Sequence, residues 1–215
     1  MDIPLALAQL NAQLPLKARQ EQLPMALKVL HQKMLTSLLV QGRVPDTAEC
    51  ADLLGEVDVN QGLRRLVEAD LLVLDTAGKR VVGAYPLTLA QTAHRVTVRG
   101  HRLCAMCALD AMAIAPMFNV EVMIESSCHL SKTPIVIHMH GRRIIAAPTE
   151  TQVQVGIRWQ MPAGVAAHSM CQEMVFLAGE LSARTWQGGD WEKRSLFTLA
   201  EAAELGEQFF APLLE

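Results

Sequence analysis

The stretch Ala93-His-Arg-Val-Thr-Val-Arg-Gly-His-Arg-Leu-Cys-Ala-Met-Cys-Ala-Leu-Asp-Ala-Met-Ala-Ile-Ala-Pro116 joins two different hydrophobic periods and decides the fold class. Over residues 93–99, apolar and polar side chains alternate, which predicts a half-buried β-strand. The run from about 102 to 115 is apolar and ends at Pro116, which predicts a helix. A strand that leads into a helix at the centre of the chain favours an α+β protein.

Two thiols and a carboxyl group lie at three-residue steps in this predicted helix: Cys104, Cys107 and Asp110. Residues three apart on a helix share a face, so these side chains would form one stripe. Spacing alone leaves open that the cysteines are small buried hydrophobes. A carboxylate in an apolar helix is costly unless it finds a partner or takes up a proton. Asp110 therefore either pairs with a nearby arginine or is placed for protonation chemistry.

The N-terminal part of the chain has the element order of a winged-helix domain. Hydrophobic periodicity predicts helices over 5–14, 22–40, 46–54 and 59–69 and strands over 71–75 and 80–85. The third helix opens at Asp46-Thr-Ala-Glu49, a variant of the capping box. We therefore predict a winged-helix-like domain over residues 1–85.

The charge pattern argues against DNA binding by this domain, although many winged helices bind DNA. A recognition helix needs a basic face toward the phosphates. Residues 43–70 contain three arginines against seven aspartates and glutamates, and the whole chain has a formal net charge of -3. We predict no nucleic-acid partner and a structural or lid-like role for this domain.

Residues 86–215 are predicted to form an α+β catalytic domain, with a mixed or antiparallel sheet and flanking helices. The other strand candidates are 119–125, 134–140, 143–147 and 152–159. A short apolar segment covers 169–178, and Thr198-Leu-Ala-Glu201 is a capping box that opens a C-terminal helix.

Cysteine usage and hydropathy predict a cytoplasmic location and no membrane partner. The 215-residue chain has five cysteines, an odd number that does not fit a secreted disulfide framework. The start Met1-Asp-Ile-Pro4 has no basic segment of the kind that precedes a secretory signal. No run of about 18 apolar residues predicts a transmembrane helix.

The stretch Arg102-Leu-Cys-Ala-Met-Cys-Ala-Leu-Asp110 resembles the signature of the organomercurial (alkylmercury) lyase family, in which Cys-Ala-Leu-Asp follows an aromatic-rich lead. Downstream, Ser169-Met-Cys171, which leads into Phe176-Leu-Ala, is similar to the segment that holds the family's second catalytic cysteine. Ser126-Ser-Cys128 resembles the segment around a third, mainly structural cysteine. Flanking similarities extend the resemblance to roughly residues 40–213.

The resemblance implies an enzyme that cleaves the carbon–mercury bond by protonolysis, leaving a hydrocarbon and Hg(II). It implies that Cys107, Cys171 and Asp110 are the catalytic residues and that they hold the Hg(II) product. Mercury is a soft metal that prefers thiolate ligands, which suits this set. The resemblance implies no cofactor. The partners it implies are the organomercurial substrate, small cytosolic thiols and a mercuric reductase that accepts Hg(II).

Cys104 is the main departure from the family pattern, because it and Met106 stand where the family has aromatic residues. Three interpretations stay open for Cys104: an extra mercury ligand, a redox partner of Cys107, or a small apolar filler, which we favour slightly. The alternative for the whole protein is a thiol-based carrier of soft metals without lyase activity. Asp110 separates the two functions, because a carrier needs no proton donor beside its cysteines. A metal-responsive regulator is a weaker third alternative.

Other candidate residues have simpler interpretations. His138 and His140 share one face of a predicted strand and are interpreted as exposed rather than as a metal-binding pair. His129 and His168 lie close in sequence to cysteines and could tune a thiol. The remaining candidates, interpreted as buried structural thiols or packing residues, are Cys128, Cys50, Trp159, Trp186 and Trp191.

Overall fold

We describe the protein from a computed structural model, which places residues 1–55, 57–148 and 153–215. Within these residues the helices are α1 (Ile3–Gln13), α2 (Leu16–Glu21), α3 (Met25–Gln41), α4 (Thr47–Leu54), α5 (Val59–Glu68), α6 (Ala108–Phe118), α7 (Glu180–Gln187) and α8 (Leu199–Phe210). The strands are β1 (Leu72–Leu74), β2 (Val81–Ala84), β3 (Leu87–Thr88), β4 (His94–Val98), β5 (His101–Ala105), β6 (Glu121–Ser127), β7 (Pro134–His140), β8 (Arg143–Ala146), β9 (Val153–Arg158), β10 (Met174–Ala178) and β11 (Arg194–Thr198). Short 3₁₀ turns occupy Ala166–His168, Met170–Glu173 and Ala211–Leu214.

Two helices begin at the capping boxes that the sequence predicts. At α4, the Asp46 carboxylate accepts the N–H of Glu49 at 2.9 Å, and the Glu49 carboxylate accepts the N–H of Asp46 at 2.9 Å. Thr198 and Glu201 form the same reciprocal pair at the start of α8. These bonds satisfy N–H groups that have no partner inside the first turn of a helix. Because the signal is local, both predicted helix starts are confirmed.

The strands form two antiparallel sheets. The larger sheet has eight strands in the order β1-β2-β3-β5-β4-β6-β7-β8, and the smaller has the order β10-β9-β11. The strand pairings in both sheets are antiparallel, so the predicted α+β class with an antiparallel sheet and flanking helices is confirmed. Among the described residues, no helix has the length and apolar character needed to cross a bilayer.

The eight-stranded sheet runs across the predicted boundary between residues 85 and 86. Strand β2 pairs with β3, where Ala84 lies opposite Leu87 and Gly83 opposite Thr88. Strand β3 pairs in turn with β5, so the hairpin β1–β2 that follows α4 and α5 is part of the same sheet as the second half of the chain. The two halves are therefore joined by backbone hydrogen bonds.

Helix α6 lies at the centre of the molecule and packs against α8. All residues of α6 from Ala108 to Met117 are buried. A Cβ atom on Gly206 of α8 would lie 2.7 Å from the Cβ of Ala113, so the two helices approach closely only because glycine stands there. Helix α6 also contacts strands of both sheets, including β5 and β10. The side chains of α6 from Ala108 to Met117 are consequently enclosed by protein.

The predicted helix over 102–115 is wrong at both ends. Residues 101–105 form strand β5, because Arg99 and Gly100 both have positive φ, 49° and 82°, and close a tight hairpin with β4. Helix α6 starts only at Ala108 and continues through Pro116 to Phe118. Asn119, in the left-handed conformation with φ 50°, ends it.

Other boundaries also differ from the sequence-based expectation. The predicted helix over 22–40 starts at Met25, because Pro24 occupies the N-cap position and α2 ends before it. The predicted apolar segment 169–178 divides into a 3₁₀ turn and β10. The predicted strand 152–159 appears as β9, and its residue 152 lies outside the described residues.

Candidate functional site

Cys107 is the N-cap residue of α6. Its backbone is extended, with φ -150° and ψ 179°, and its Sγ accepts the N–H of Asp110 at 3.3 Å. The sulfur therefore occupies the position in which a serine or aspartate oxygen usually caps a helix. The expectation that Cys107 lies in the helix interior is wrong, because α6 starts six residues later than predicted. The N-terminal partial charge of the helix consequently acts directly on this sulfur.

Asp110 lies in the first turn of α6, one turn from Cys107, and only 1% of its surface is exposed. Burial, which disfavours the charged carboxylate, raises the pKa of Asp110 from its ordinary value of 3.8 to about 7, although hydrogen bonds from Cys107 and Cys171 oppose the rise. Near neutral pH, both the carboxylate and the carboxylic acid are thus populated. A group with such a pKa can accept a proton and donate it again.

Cys171 lies on the 3₁₀ turn Met170–Glu173, far from α6 in sequence but in contact with it in space. Its Sγ–H donates to Oδ2 of Asp110 at 3.8 Å. The ligand atoms of Cys107, Asp110 and Cys171 all lie within 4.8 Å of one another, and all three residues are buried. The structure thus brings together the three residues that the resemblance to the lyase family implies.

The surroundings of both thiols raise their pKa and so favour the protonated form. Burial, followed by the hydrogen bond with Cys171 and the negative charge of Asp110, raises the pKa of Cys107 well above its ordinary value. At Cys171, the hydrogen bond with Cys107 lowers the pKa, but burial and the charges of Asp110 and Asp70 outweigh it and the net shift is upward. The resting site therefore holds thiol protons beside a carboxyl group that can take one up.

A cavity of about 450 Å³ opens onto Cys171. Its lining includes sulfur and aromatic side chains, Met106, Met174 and Phe176, which offer soft and apolar contacts. Met174 also contacts the site directly, because the Cys107 thiol donates to its Sδ at 3.6 Å. The cavity gives a molecule from outside a path to one of the two thiols.

Cys104 lies apart from this group. It is on β5, where it pairs with Thr88 and Arg95, so its side chain is on the opposite face of the strand from Leu103 and Ala105. Cys104 is buried, and its sulfur does not belong to the group of ligand atoms from Cys107, Asp110 and Cys171 that lie within 4.8 Å of one another. It forms no disulfide with Cys107. The expected stripe of Cys104, Cys107 and Asp110 on one helix face is therefore wrong, and the location of Cys104 suits the apolar filler.

Cys128 and Cys50 are both buried free thiols. At Cys128, burial raises the pKa, but hydrogen bonds from the surrounding chain, beginning with the N–H of Ala178, lower it to about 7. Burial raises the pKa of Cys50. Neither residue joins the group around Asp110.

The histidine and tryptophan candidates lie outside the three-residue group. His129 and His168 line the cavity that opens onto Cys171. His138 and His140 lie on the outward face of β7, alternating with buried Ile137 and Met139. The tryptophans serve packing or surface positions: the Trp159 indole donates to Ser195, Trp186 stacks under Arg194, and Trp191 is 68% exposed.

Sequence reasoning missed His94, a half-buried histidine that lines the cavity. Its Nδ1 is 2.9 Å from Oγ of Ser126, and its ring packs edge-on against Phe176 at 5.6 Å. Burial lowers its pKa to about 4, so it brings no charge into the cavity at neutral pH. The available signal was its period-two spacing from Val96 and Val98, which places this histidine on the apolar face of β4.

The fold and site together define an α+β protein with a buried dithiol and a proton-carrying carboxyl group, a set suited to a soft metal. The sequence model of the family MerB, alkylmercury lyase, matches residues 87–211. The alkylmercury lyase of Staphylococcus epidermidis is 30% identical over 154 residues, covering 72% of this chain and 68% of that protein. The alkylmercury lyase of Bacillus cereus is 32% identical over 131 residues, covering 59% and 57% of the two chains.

The fold is similar to that in the crystal structure of the mercury-bound form of MerB2. The TM-score is 0.77, and the match covers 93% of this chain and 98% of that chain at 17% sequence identity. At this identity the similarity concerns the fold alone. With more than half of its length matched by the family model, the chain belongs to the alkylmercury lyase family.

Proposed function

We propose that the protein is an organomercurial lyase that cleaves carbon–mercury bonds by protonolysis, with Cys107, Cys171 and Asp110 as its catalytic residues. One observation carries the proposal: two thiols and a carboxyl group with a pKa of about 7 lie within 4.8 Å of one another in a buried site. Family membership supports the same reaction. A carrier would need the thiols but not the carboxyl group.

Capture of the substrate starts the reaction. One thiol displaces the small thiol that accompanies the organomercurial, so a protein sulfur–mercury bond forms and the small thiol leaves with the proton. Cys171 is the first to act, because it lines the cavity, whereas Cys107 is not among the lining residues and is 1% exposed.

Proton transfer follows through Asp110. The second thiol gives its proton to the carboxylate and binds mercury as a thiolate, which adds electron density to the metal and to its carbon. The carboxylic acid then protonates that carbon, the carbon–mercury bond breaks and the hydrocarbon leaves. Asp110 returns to the carboxylate, and Hg(II) stays on two thiolates. Placed proton transfer of this kind contributes roughly 10²–10⁴-fold to a rate.

The surroundings of the site support this chemistry. The cavity of about 450 Å³, with Met106, Met174 and Phe176 in its lining, would hold the organic group. Exclusion of water strengthens the electrostatic interactions that steer the proton. Every proton and bond in these steps is accounted for by the three side chains and the substrate, so we propose that no cofactor takes part.

We further propose a division of roles within the chain. A winged-helix-like domain over residues 1–85 would support the catalytic domain over 86–215, which contains all three catalytic residues, and would not bind nucleic acid. Small thiols of the cytoplasm, where free cysteines persist, would extract Hg(II) and pass it to a mercuric reductase. The free state of the five cysteines supports the cytoplasmic location.

The test is the release of benzene from phenylmercury in excess small thiol, measured by gas chromatography. The wild-type protein should release benzene in many turnovers. The variants Cys107→Ser, Cys171→Ser and Asp110→Ala should each lose this release. Cys107→Ser should still take up phenylmercury at Cys171, which mass spectrometry of the labelled peptide would locate.

Cys50→Ser is the matched control, because it removes a buried thiol outside the site and should keep full activity. Benzene at the level of the no-enzyme blank, with mercury still bound to the protein, would identify a carrier instead. Full activity in one of the three site variants would remove the role proposed for that residue.

A further inference from the structure

The turn that carries Cys171 is tied to the N-terminal part of the chain by two buried side chains. Oδ2 of Asp70 accepts the N–H of Ala166 at 3.2 Å. The hydroxyl of Tyr85 accepts the N–H of the next residue, Ala167, at 2.8 Å. Two consecutive amide groups, four and five residues before Cys171, are thus fixed by side chains that precede residue 86.

Asp70 and Tyr85 also fix each other. The Tyr85 hydroxyl donates to Oδ1 of Asp70 at 3.0 Å, and Arg19 of α2 lies 3.4 Å from Oδ2. Asp70 lies two residues after the end of α5 and has a φ of 54°. Tyr85 is 1% exposed and Asp70 9% exposed, so water competes little with these charge-assisted bonds.

Apart from the bond of the Cys171 thiol to Asp110, the other hydrogen bonds that we find within residues 163–172 are local. Ser169 donates to the carbonyl of Val165 and accepts the N–H of Ala163, and Gln172 donates to the carbonyl of Ala167. The neighbouring strands β9 and β10 end and begin outside this segment. The two bonds to Asp70 and Tyr85 therefore supply the polar connection of the segment's backbone to the rest of the described protein.

We propose that Asp70 and Tyr85 are positioning residues for the reaction, which hold the Cys171 turn so that its sulfur meets Asp110 and Cys107. The proposal rests on the proposed function and deepens it. Neither residue belongs to the group within 4.8 Å, so both act through the backbone at Ala166 and Ala167 rather than on mercury. Loss of either bond lets the Cys171 sulfur move away from Asp110 and from the second thiol.

The test uses the full chain with Tyr85→Phe and Asp70→Asn. Tyr85→Phe leaves the Ala167 N–H without its acceptor and should lower kcat for benzene release on the order of tenfold, with KM changed by less than about twofold. Asp70→Asn should lower kcat less, because an amide oxygen can still accept the Ala166 N–H. This graded response by the conservative variant is what distinguishes positioning from general support of the fold.

Ser37→Ala is the matched control, because it removes a partly buried side chain–backbone hydrogen bond of 2.9 Å, to the carbonyl of Arg43, away from the site. It should destabilise the fold by a similar amount, measured by urea unfolding, and leave kcat unchanged. An unchanged kcat in a folded Tyr85→Phe protein overturns the proposal. A fall in kcat that is equal in Ser37→Ala at equal destabilisation overturns it as well.

Binding of Hg(II) alone separates this proposal from the proposed function. One equivalent of Hg(II) on the wild-type protein should give the ultraviolet absorption of a two-thiolate complex, which Tyr85→Phe should hold roughly tenfold less tightly against a competing small thiol. If the wild-type protein binds Hg(II) in this way but releases no benzene, the lyase reaction fails while positioning still stands. Equal Hg(II) affinity in wild type, Tyr85→Phe and Asp70→Asn contradicts positioning. Should Tyr85→Phe not fold, Asp70→Asn alone decides by the same two measurements.

Discussion

The buried carboxyl group of Asp110 has a cost for stability that depends on pH. An aspartate exposed to water has an ordinary pKa of 3.8, and burial, which disfavours the charge, raises the pKa of Asp110 to about 7 in the folded protein. Between these values the folded protein keeps a proton that the unfolded chain has released. The free energy of unfolding therefore falls as the pH rises through this window, and the loss is complete above the folded pKa.

We expect Asp110→Asn to remove this dependence, because an amide does not titrate. Relative to wild type, the variant should gain stability between about pH 4 and pH 8, by on the order of a few kcal/mol. Urea unfolding of both proteins across this range measures the difference. A difference that stays constant with pH would show that Asp110 keeps an ordinary pKa in the folded protein.

At the scale of the element, the N-cap of α6 separates the structural and chemical roles of Cys107. Cys107→Ala leaves the N–H of Asp110 buried without an acceptor and should cost about 1 kcal/mol of unfolding free energy. Cys107→Ser supplies a preferred N-cap oxygen, so its free energy of unfolding should exceed that of the alanine variant by about that amount or more. Urea unfolding compares the two, and equal stability would mean that the cap at this helix contributes nothing.

Local signals predicted individual elements well and failed where a hairpin and a helix adjoin. Asp46 and Thr198 act on the N–H groups of their own helices, so their capping boxes were readable from the chain. Residues 103–105 are apolar and continue into the apolar run of α6, so composition does not separate strand from helix there. The tight turn at Arg99-Gly100 was the signal that distinguishes a strand. Cysteine is not a usual N-cap, so the start of α6 could not be read from residue preferences.

The proximity of distant groups was the part of the site that composition and spacing could not predict. Cys171 is 64 residues from Cys107, and only the resemblance to a family indicated that they meet. Asp70 counted merely as one of several acids in an acidic segment. Its bond to Ala166 depends on how the hairpin β1–β2 joins the sheet, which is a property of the whole chain rather than of any local pattern.

At the scale of the whole molecule, we expect residues 86–215 not to fold alone, although they contain the three site residues. The fragment would expose the edge of β3 that pairs with β2, and it would lose Asp70 and Tyr85. Circular dichroism and size-exclusion chromatography, with the full chain as control, would show an aggregated or unfolded fragment. A monomeric fragment with cooperative unfolding would contradict this expectation.

The N-cap hydrogen bond at Cys107 also gives a way to detect whether metal is bound at the site. The sulfur that accepts the N–H of Asp110 is the atom to which Hg(II) would bind, and electrons drawn toward a metal are less available to an amide. The two events therefore compete at a single atom. Hydrogen–deuterium exchange of the Asp110 amide proton, followed by nuclear magnetic resonance, should therefore be faster when metal is bound. It would measure the metal-bound fraction of the protein without any added label.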